Sequence, residues 1–156
     1  PSDKKRIAYL AEATADITDL ELFPQYLTLL FEIDALFCND DRHLNNIAVL
    51  ERDGKYDYCP IFDNGAGLLS NTQLSPMDIA LSVLISALRA RPFNTAFTRQ
   101  MNTARSLYGP QLAIPKLTAS DVQKALRPAL DYYPQRDRGT ITDRVETCIL
   151  TRQKKL

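Results

Sequence analysis

Glycine is scarce in this 156-residue sequence. None of the five glycines belongs to a GxGxxG or GxxxxGKS/T pattern, so neither common glycine-rich phosphate-binding fingerprint is present. A nucleotide site in this chain must therefore work differently or be incomplete.

Cysteine is scarce as well. The three cysteines are odd in number, far apart and form no CxxC pair; they are Cys38, Cys59 and Cys148. This distribution argues against a disulfide framework and against a zinc site. The simplest interpretation is a protein from a reducing compartment.

Long apolar runs are also missing. Glu32, Asp34 or a proline interrupts every apolar stretch before it reaches the roughly 18 residues that a membrane span needs. No secretory signal pattern opens the chain, so we expect a cytoplasmic location. The sequence begins at Pro1 without a methionine, which favours a processed product or a piece of a longer protein.

The composition, 45% hydrophobic and 24% charged, predicts a single domain over residues 1–156 with a core of its own. The 19 basic and 19 acidic side chains cancel, but they are unevenly placed. Residues 1–78 hold 14 acids against 6 bases, a net charge of −8, and residues 79–156 hold 13 bases against 5 acids, a net charge of +8.

The basic half leaves two interpretations open. Residues 79–120 contain five bases and no acid: Arg89, Arg91, Arg99, Arg105 and Lys116. Such side chains most often face water on amphipathic helices, and the alternative is a partner of negative charge, such as an acidic protein surface or RNA bound to a protein substrate. No named nucleic-acid-binding motif is present, so nucleic acid itself is not indicated.

Hydrophobic periodicity predicts a mainly α domain with one β-hairpin. Apolar residues at helical spacing over 4–15 predict one helix, and the apolar stretch 24–37 predicts a second, buried one. The runs 47–50 and 56–62 flank Asp53-Gly54, a dipeptide that tolerates the positive φ angles of a tight hairpin turn.

Four further helices are expected after the hairpin. Their predicted N-terminal caps are Ser75, Asn94, Thr118 and Thr140. The first two should end near Ala90 and Tyr108. In the last two, an aspartate three residues after the cap completes a sequence resembling a capping box.

Reactive polar residues are concentrated in two segments on either side of the hairpin, NDDRHLNNIAVL over 39–50 and IFDNGAGLL over 61–69. Asp41 and Asn46 lie on the loop that enters the first strand, and Asp63 follows the second strand. A hairpin brings its two ends together, so two carboxylates and one carboxamide should converge at its base.

This residue set suits magnesium and phosphate. Mg²⁺ takes oxygen ligands, usually one or two protein carboxylates completed by phosphate oxygens and water, and Asp63 and Asn46 could supply such ligands. Asp41 would remain free to act on a hydroxyl. Phosphoryl transfer needs little more from a protein than positioning, charge neutralisation and one such carboxylate.

The pattern Asn39-x-Asp41-x-His43-x-x-Asn46, followed by a hairpin and the segment 60–65, resembles the catalytic and metal-binding loops of the HipA-like serine/threonine kinases. The run Asp-Arg-His-x-x-Asn is also similar to the catalytic loop of phosphoinositide kinases. The HipA-like resemblance implies the helical C-terminal lobe of a protein-kinase-like fold, with ATP and Mg²⁺ as cofactors and a protein as substrate.

The same resemblance implies a role for each site residue. Asp41 becomes the catalytic aspartate, and Asn46 and Asp63 become the ligands of Mg²⁺ and, through it, of ATP. His43, the only histidine, is expected to support the loop by hydrogen bonding rather than to act as a base. Asp40 could share the role of Asp41, but the five-residue spacing to Asn46 favours Asp41.

Two departures from the kinase pattern affect this interpretation. Asn64 stands where the DFG motif of kinases has phenylalanine. Only residues 1–38 precede the catalytic loop, and their lysines, Lys4 and Lys5, lie in a predicted helix rather than in a strand. We therefore expect this chain to lack the N-terminal lobe that clamps ATP.

Two other functions compete with a protein kinase lobe. A phosphoinositide-type lipid kinase should have bases after its metal-binding aspartate, and none occurs between Asp63 and Arg89. A non-catalytic kinase-like binding or regulatory module is the other alternative. Because HipA-like kinases commonly belong to toxin–antitoxin pairs, the resemblance also implies an antitoxin-like partner.

Overall fold

The computed structural model describes all 156 residues and contains six α-helices and one antiparallel β-hairpin, which confirms the predicted mainly α architecture. The helices are α1 (Asp3–Thr18), α2 (Phe23–Phe37), α3 (Leu81–Ala87), α4 (Phe97–Tyr108), α5 (Ala119–Leu130) and α6 (Gln135–Arg152), and the strands are β1 (Val49–Arg52) and β2 (Lys55–Tyr58). Short 3₁₀ helices occur at Leu44–Asn46, Gly67–Leu69 and Gln153–Lys155. No helix is both long and apolar enough to cross a membrane.

Helix α2 lies at the centre of the core and packs against α1, α4 and α6. Pro24 stands in its first turn, where a missing N–H costs no hydrogen bond. Its buried side chains join those of α1 and α4 in the main cluster, formed by Ile7, Ala11, Leu20, Phe23, Leu27, Leu30, Phe31 and Ala104. Burying each large side chain of this kind contributes about 1.5–3 kcal/mol. The predicted buried second helix is therefore confirmed.

The hairpin turns at Asp53-Gly54 as predicted, with φ angles of 52° and 72°. Positive φ at both positions gives a turn whose twist matches that of the paired strands. Two tyrosines fasten the hairpin to the start of α2. The hydroxyl of Tyr58 accepts a hydrogen bond from the Leu22 N–H at 3.1 Å, and that of Tyr26 donates to the Cys59 carbonyl at 2.8 Å. The base of the hairpin therefore has a fixed position relative to α2.

The prediction of a helix from Ser75 to Ala90 is wrong at its start. Helix α3 begins only at Leu81 and buries no side chain. In a helix the carbonyl of Ser75 would accept from an N–H four residues later, but here it accepts from buried Arg144 at 2.7 Å. The same guanidinium binds the Pro76 carbonyl at 2.8 Å, so a contact from α6 holds this segment out of the helix.

The predicted helix start at Asn94 is also wrong, because α4 begins at Phe97. Asn94 has a φ of 53° and lies in a turn closed by the bridge between Ala90 and Thr95. The end of this helix is as predicted, at Tyr108.

The two predicted capping boxes have opposite outcomes. Thr118 and Asp121 form both bonds of the box, with Asp121 accepting from the Thr118 N–H at 2.8 Å. Thr140 instead lies inside α6, which begins at Gln135, so its prediction as a cap is wrong. Helix α6 begins earlier in the sequence than predicted. Arg138, in its first turns, donates to the Tyr133 carbonyl at 3.0 Å and thereby connects the start of α6 with the end of α5.

Replacing each of these threonines tests the assignment. We expect Thr118→Ala to lower the free energy of unfolding by about 1 kcal/mol, because the Asp121 N–H loses the Thr118 hydroxyl as its acceptor, while the Thr118 N–H keeps its bond to Asp121. Thr140→Ala, at an exposed position inside α6, should change it by less than about 0.5 kcal/mol. Urea denaturation followed by circular dichroism measures both, and an equal cost for the two variants would contradict the boundaries of α5 and α6.

Candidate functional site

The structure brings together the three residues that the sequence places at the base of the hairpin. The side-chain amide of Asn46 donates to Asp63 Oδ2 at 2.6 Å and to the main-chain carbonyl of Asp41 at 3.1 Å. Asn46 is buried at the end of the 3₁₀ turn that leads towards β1, and Asp63 is exposed with a φ of 53°. One carboxamide therefore links the two loops that flank the hairpin.

Two oxygens of this group remain free. Both hydrogen bonds of Asn46 use its nitrogen, so its Oδ1 accepts none, and Asp63 Oδ1 likewise accepts none. Carboxylate and carboxamide oxygens are the donors that Mg²⁺ prefers. No cluster of three or more histidine, cysteine, aspartate or glutamate side chains that could hold a metal is present. A cation bound by Asn46 and Asp63 would need phosphate and water to complete its shell. The residues present fit such an ion.

A fully buried arginine organises both loops. Arg42 donates through Nε and Nη2 to the two carboxylate oxygens of Asp34, at 2.9 and 3.0 Å. It also donates to the carbonyls of Asn46, at 3.2 Å, and Phe62, at 2.6 Å, and to Oδ1 of Asn64, at 2.6 Å. One guanidinium thus connects α2 with the loop before the hairpin and the loop after it.

Asp34 receives a third hydrogen bond, from the side-chain amide of Asn39 at 3.0 Å. Burial raises the pKa of Asp34, and the hydrogen bonds and charge of Arg42 together with the bond from Asn39 oppose that rise. The side chains of Arg42 and Asp34 are 0% and 2% exposed, so the pair is completely withdrawn from water. Removing either partner would leave the other charge buried without compensation.

Arg42 and Asp34 have no role in the prediction from sequence. The available signal was an acid in a helix that is otherwise strongly apolar, since a buried carboxylate needs a cation or several donors.

Asn64 has a role in the same network. Where the kinase motif has phenylalanine, this chain has a side chain that accepts a hydrogen bond from Arg42.

Asp40 and Asp41 have different surroundings. The carboxylate of Asp41 is 51% exposed, and its single ion pair is a long one, 3.9 Å from Oδ1 to Nη1 of Arg91. Burial, and to a lesser degree the charge of Asp41, raise the pKa of Asp40, while a main-chain hydrogen bond and Arg91 lower it. Asp41 therefore has a half-exposed carboxylate with a single weak ionic contact.

The imidazole of His43 makes no hydrogen bond in the structure, so the hydrogen-bonding support expected from this side chain is not observed. Its main chain does form hydrogen bonds. Its N–H donates to the Asp41 carbonyl at 2.8 Å, and its carbonyl accepts from the Asn46 N–H at 2.9 Å. The backbone at His43 therefore supports the loop between Asp41 and Asn46.

Comparisons of this chain with protein-family models, curated proteins and solved structures found no match.

A double-mutant cycle tests the buried pair. We expect Arg42→Met to lower the free energy of unfolding by about 3–5 kcal/mol, because the charge of Asp34 stays buried without its cation. Adding Asp34→Leu should recover part of this loss, since the double variant leaves no uncompensated charge. The measurement is urea denaturation, with Arg136→Met, at an 85% exposed arginine, as the matched control. Strictly additive losses in the double variant would contradict the proposed coupling.

Proposed function

We propose that this chain is the catalytic C-terminal lobe of a HipA-like, ATP- and Mg²⁺-dependent serine/threonine protein kinase. The observation that carries the proposal is the convergence of Asp41, Asn46 and Asp63 at the base of the hairpin, where Asn46 donates to both of the others. Their order and spacing in the sequence are those of the catalytic and metal-binding loops that the chain resembles.

Each residue has a distinct role in this proposal. Asp63 and Asn46 hold the magnesium ion through oxygens that accept no protein hydrogen bond. The ion, when bound, neutralises the charge of the phosphate oxygens. Arg42 fixes the relative position of the two loops by binding main-chain carbonyls on both.

Asp41 acts on the acceptor, and its half-exposed carboxylate lies within reach of a hydroxyl from outside the protein. As the hydroxyl oxygen bonds to the γ-phosphorus of ATP, Asp41 takes the hydroxyl proton. The bond between that phosphorus and the bridging oxygen breaks, and ADP leaves with the electron pair. The products are ADP and a phosphorylated serine or threonine.

Substitution of the three neighbouring aspartates tests these roles in the product of the complete reading frame. We expect Asp41→Ala and Asp63→Ala to reduce Mg²⁺-dependent ATP consumption by about 100-fold or more, because one removes the proton acceptor and the other a metal ligand. Asp40→Ala serves as the matched control and should retain most of the activity. An equal loss in all three variants would contradict the assignment of roles.

Binding of ATP to residues 1–156 alone is a separate test. We expect weak or no binding of Mg²⁺-ATP, because Asn46 and Asp63 would bind only the metal. The lysines that precede the site, Lys4 and Lys5, lie in α1 rather than in a strand that could place them on the phosphates. Isothermal titration calorimetry measures it, with Asp63→Ala as the reference for binding outside the site. Micromolar affinity that Asp63→Ala abolishes would contradict the need for an additional ATP-clamping lobe.

A further inference from the structure

A cavity of about 180 Å³ lies next to Asp41. Asp40, Asp41 and Arg91 provide its charged lining, and the segment after the metal-binding loop provides much of the rest. Neither Asn46 nor Asp63 lines it. Asp41 therefore stands between two regions, the cation ligands on one side and this cavity on the other.

The size and lining of the cavity suit one amino-acid side chain. Sites for whole small molecules usually measure about 300–1,000 Å³, so this cavity is too small for a nucleotide. Leu69, Leu74 and Leu88 supply apolar wall, and Asn71 and Ser75 supply polar atoms. A short side chain that carries a hydroxyl could enter and place its oxygen near Asp41.

Arg91 is the base of the stretch 79–120 that faces this cavity. Three of the other bases are engaged elsewhere: Arg89 with the last carbonyls around the end of α3, Arg99 with Asp3, and Arg105 with buried Glu32. Lys116 lines a different cavity. Arg91 is therefore the base of this stretch that lies at the cavity, where it faces the carboxylates of Asp40 and Asp41.

The contact between Arg91 and Asp41 is easily exchanged. Its N–O distance is 3.9 Å and its side chains are 57% and 51% exposed, and pairs of this kind contribute only about 0–1 kcal/mol. A carboxylate on an incoming polypeptide can bind the guanidinium in a bidentate manner. Arg91 would then leave Asp41 unpaired and ready to accept the hydroxyl proton.

We propose that this cavity is the acceptor site and that Arg91 selects serine or threonine residues flanked by acidic side chains. The inference rests on the proposed function, because it names the substrate class of the same site. The occupant is a polypeptide segment with a small hydroxylated side chain for the cavity and a carboxylate for Arg91.

Peptide binding to residues 1–156 tests this proposal without ATP. The probes are a fluorescein-labelled serine peptide flanked by glutamates and the matching peptide flanked by lysines, compared by fluorescence anisotropy at constant ionic strength. We expect the acidic peptide to bind about tenfold more tightly, as a charge-assisted hydrogen bond would provide. Arg91→Glu should abolish or reverse this preference, and Arg91→Lys should retain part of it.

Arg136→Glu is the matched control, because it makes the same charge change at an exposed position of α6 and should leave the preference intact. Circular dichroism verifies folding, and Arg91→Gln, which removes the positive charge without introducing a negative one, replaces Arg91→Glu if that variant is unfolded. No preference in the unmodified protein, or an equal loss in the Arg91 and Arg136 variants, would overturn the proposal.

The two proposals fail in different ways. If the complete protein transfers no phosphate but the acidic preference exists and requires Arg91, the kinase assignment is wrong and the cavity is a peptide-binding site of a non-catalytic module. If phosphate is transferred equally well to acidic and basic peptides, the kinase assignment stands and the role of Arg91 is wrong.

Discussion

The candidate site depends on the buried ion pair between Arg42 and Asp34. Withdrawing two charges from water costs several kcal/mol for each ion, and good geometry with additional hydrogen bonds is needed to offset that cost. Arg42 makes five such bonds, two to Asp34 and three to the loops on either side of the hairpin. Because α2 is also the centre of the apolar core, the loops are held to the most constrained element of the fold.

This arrangement separates the polar residues that shape the site from those available for chemistry. The shaping residues Arg42, Asp34 and Asn39 are buried and hydrogen-bonded to one another, so their orientations are set by the fold. Asp41 and Asp63 receive no bond from Arg42 and remain open to solvent. Had either of them taken the place of Asp34, its charge would be neutralised by arginine and unavailable to a cation or a hydroxyl.

Sequence patterns predicted several parts of the structure that neighbouring residues decide. The Asp53-Gly54 turn fixes the hairpin, and a hairpin brings its two ends together, so the approach of Asn46 and Asp63 was predictable from spacing. The error at the start of α3 arises because a distant side chain decides the conformation, whereas the errors at Asn94 and Thr140 involve local contacts. The start of α3 depends on Arg144, which lies 69 residues beyond the Ser75 carbonyl that it binds. The role of Arg42 likewise depends on burial, which a polar stretch such as 39–46 does not reveal.

The opposite charges of the two halves of the chain have a partly internal explanation. Arg105 pairs with buried Glu32, while Arg144 and Arg152 reach carbonyls in the segment 69–76 and at Ala35, so bases of the second half hold the first half in place. Charges used in this way cannot also recruit a partner, because their hydrogen-bonding capacity is already satisfied. The regional excess of bases is therefore a poor guide to ligands, and the proposed recognition of a negatively charged group requires a base with only weak internal contacts. Arg91, at the cavity beside Asp41, is such a base.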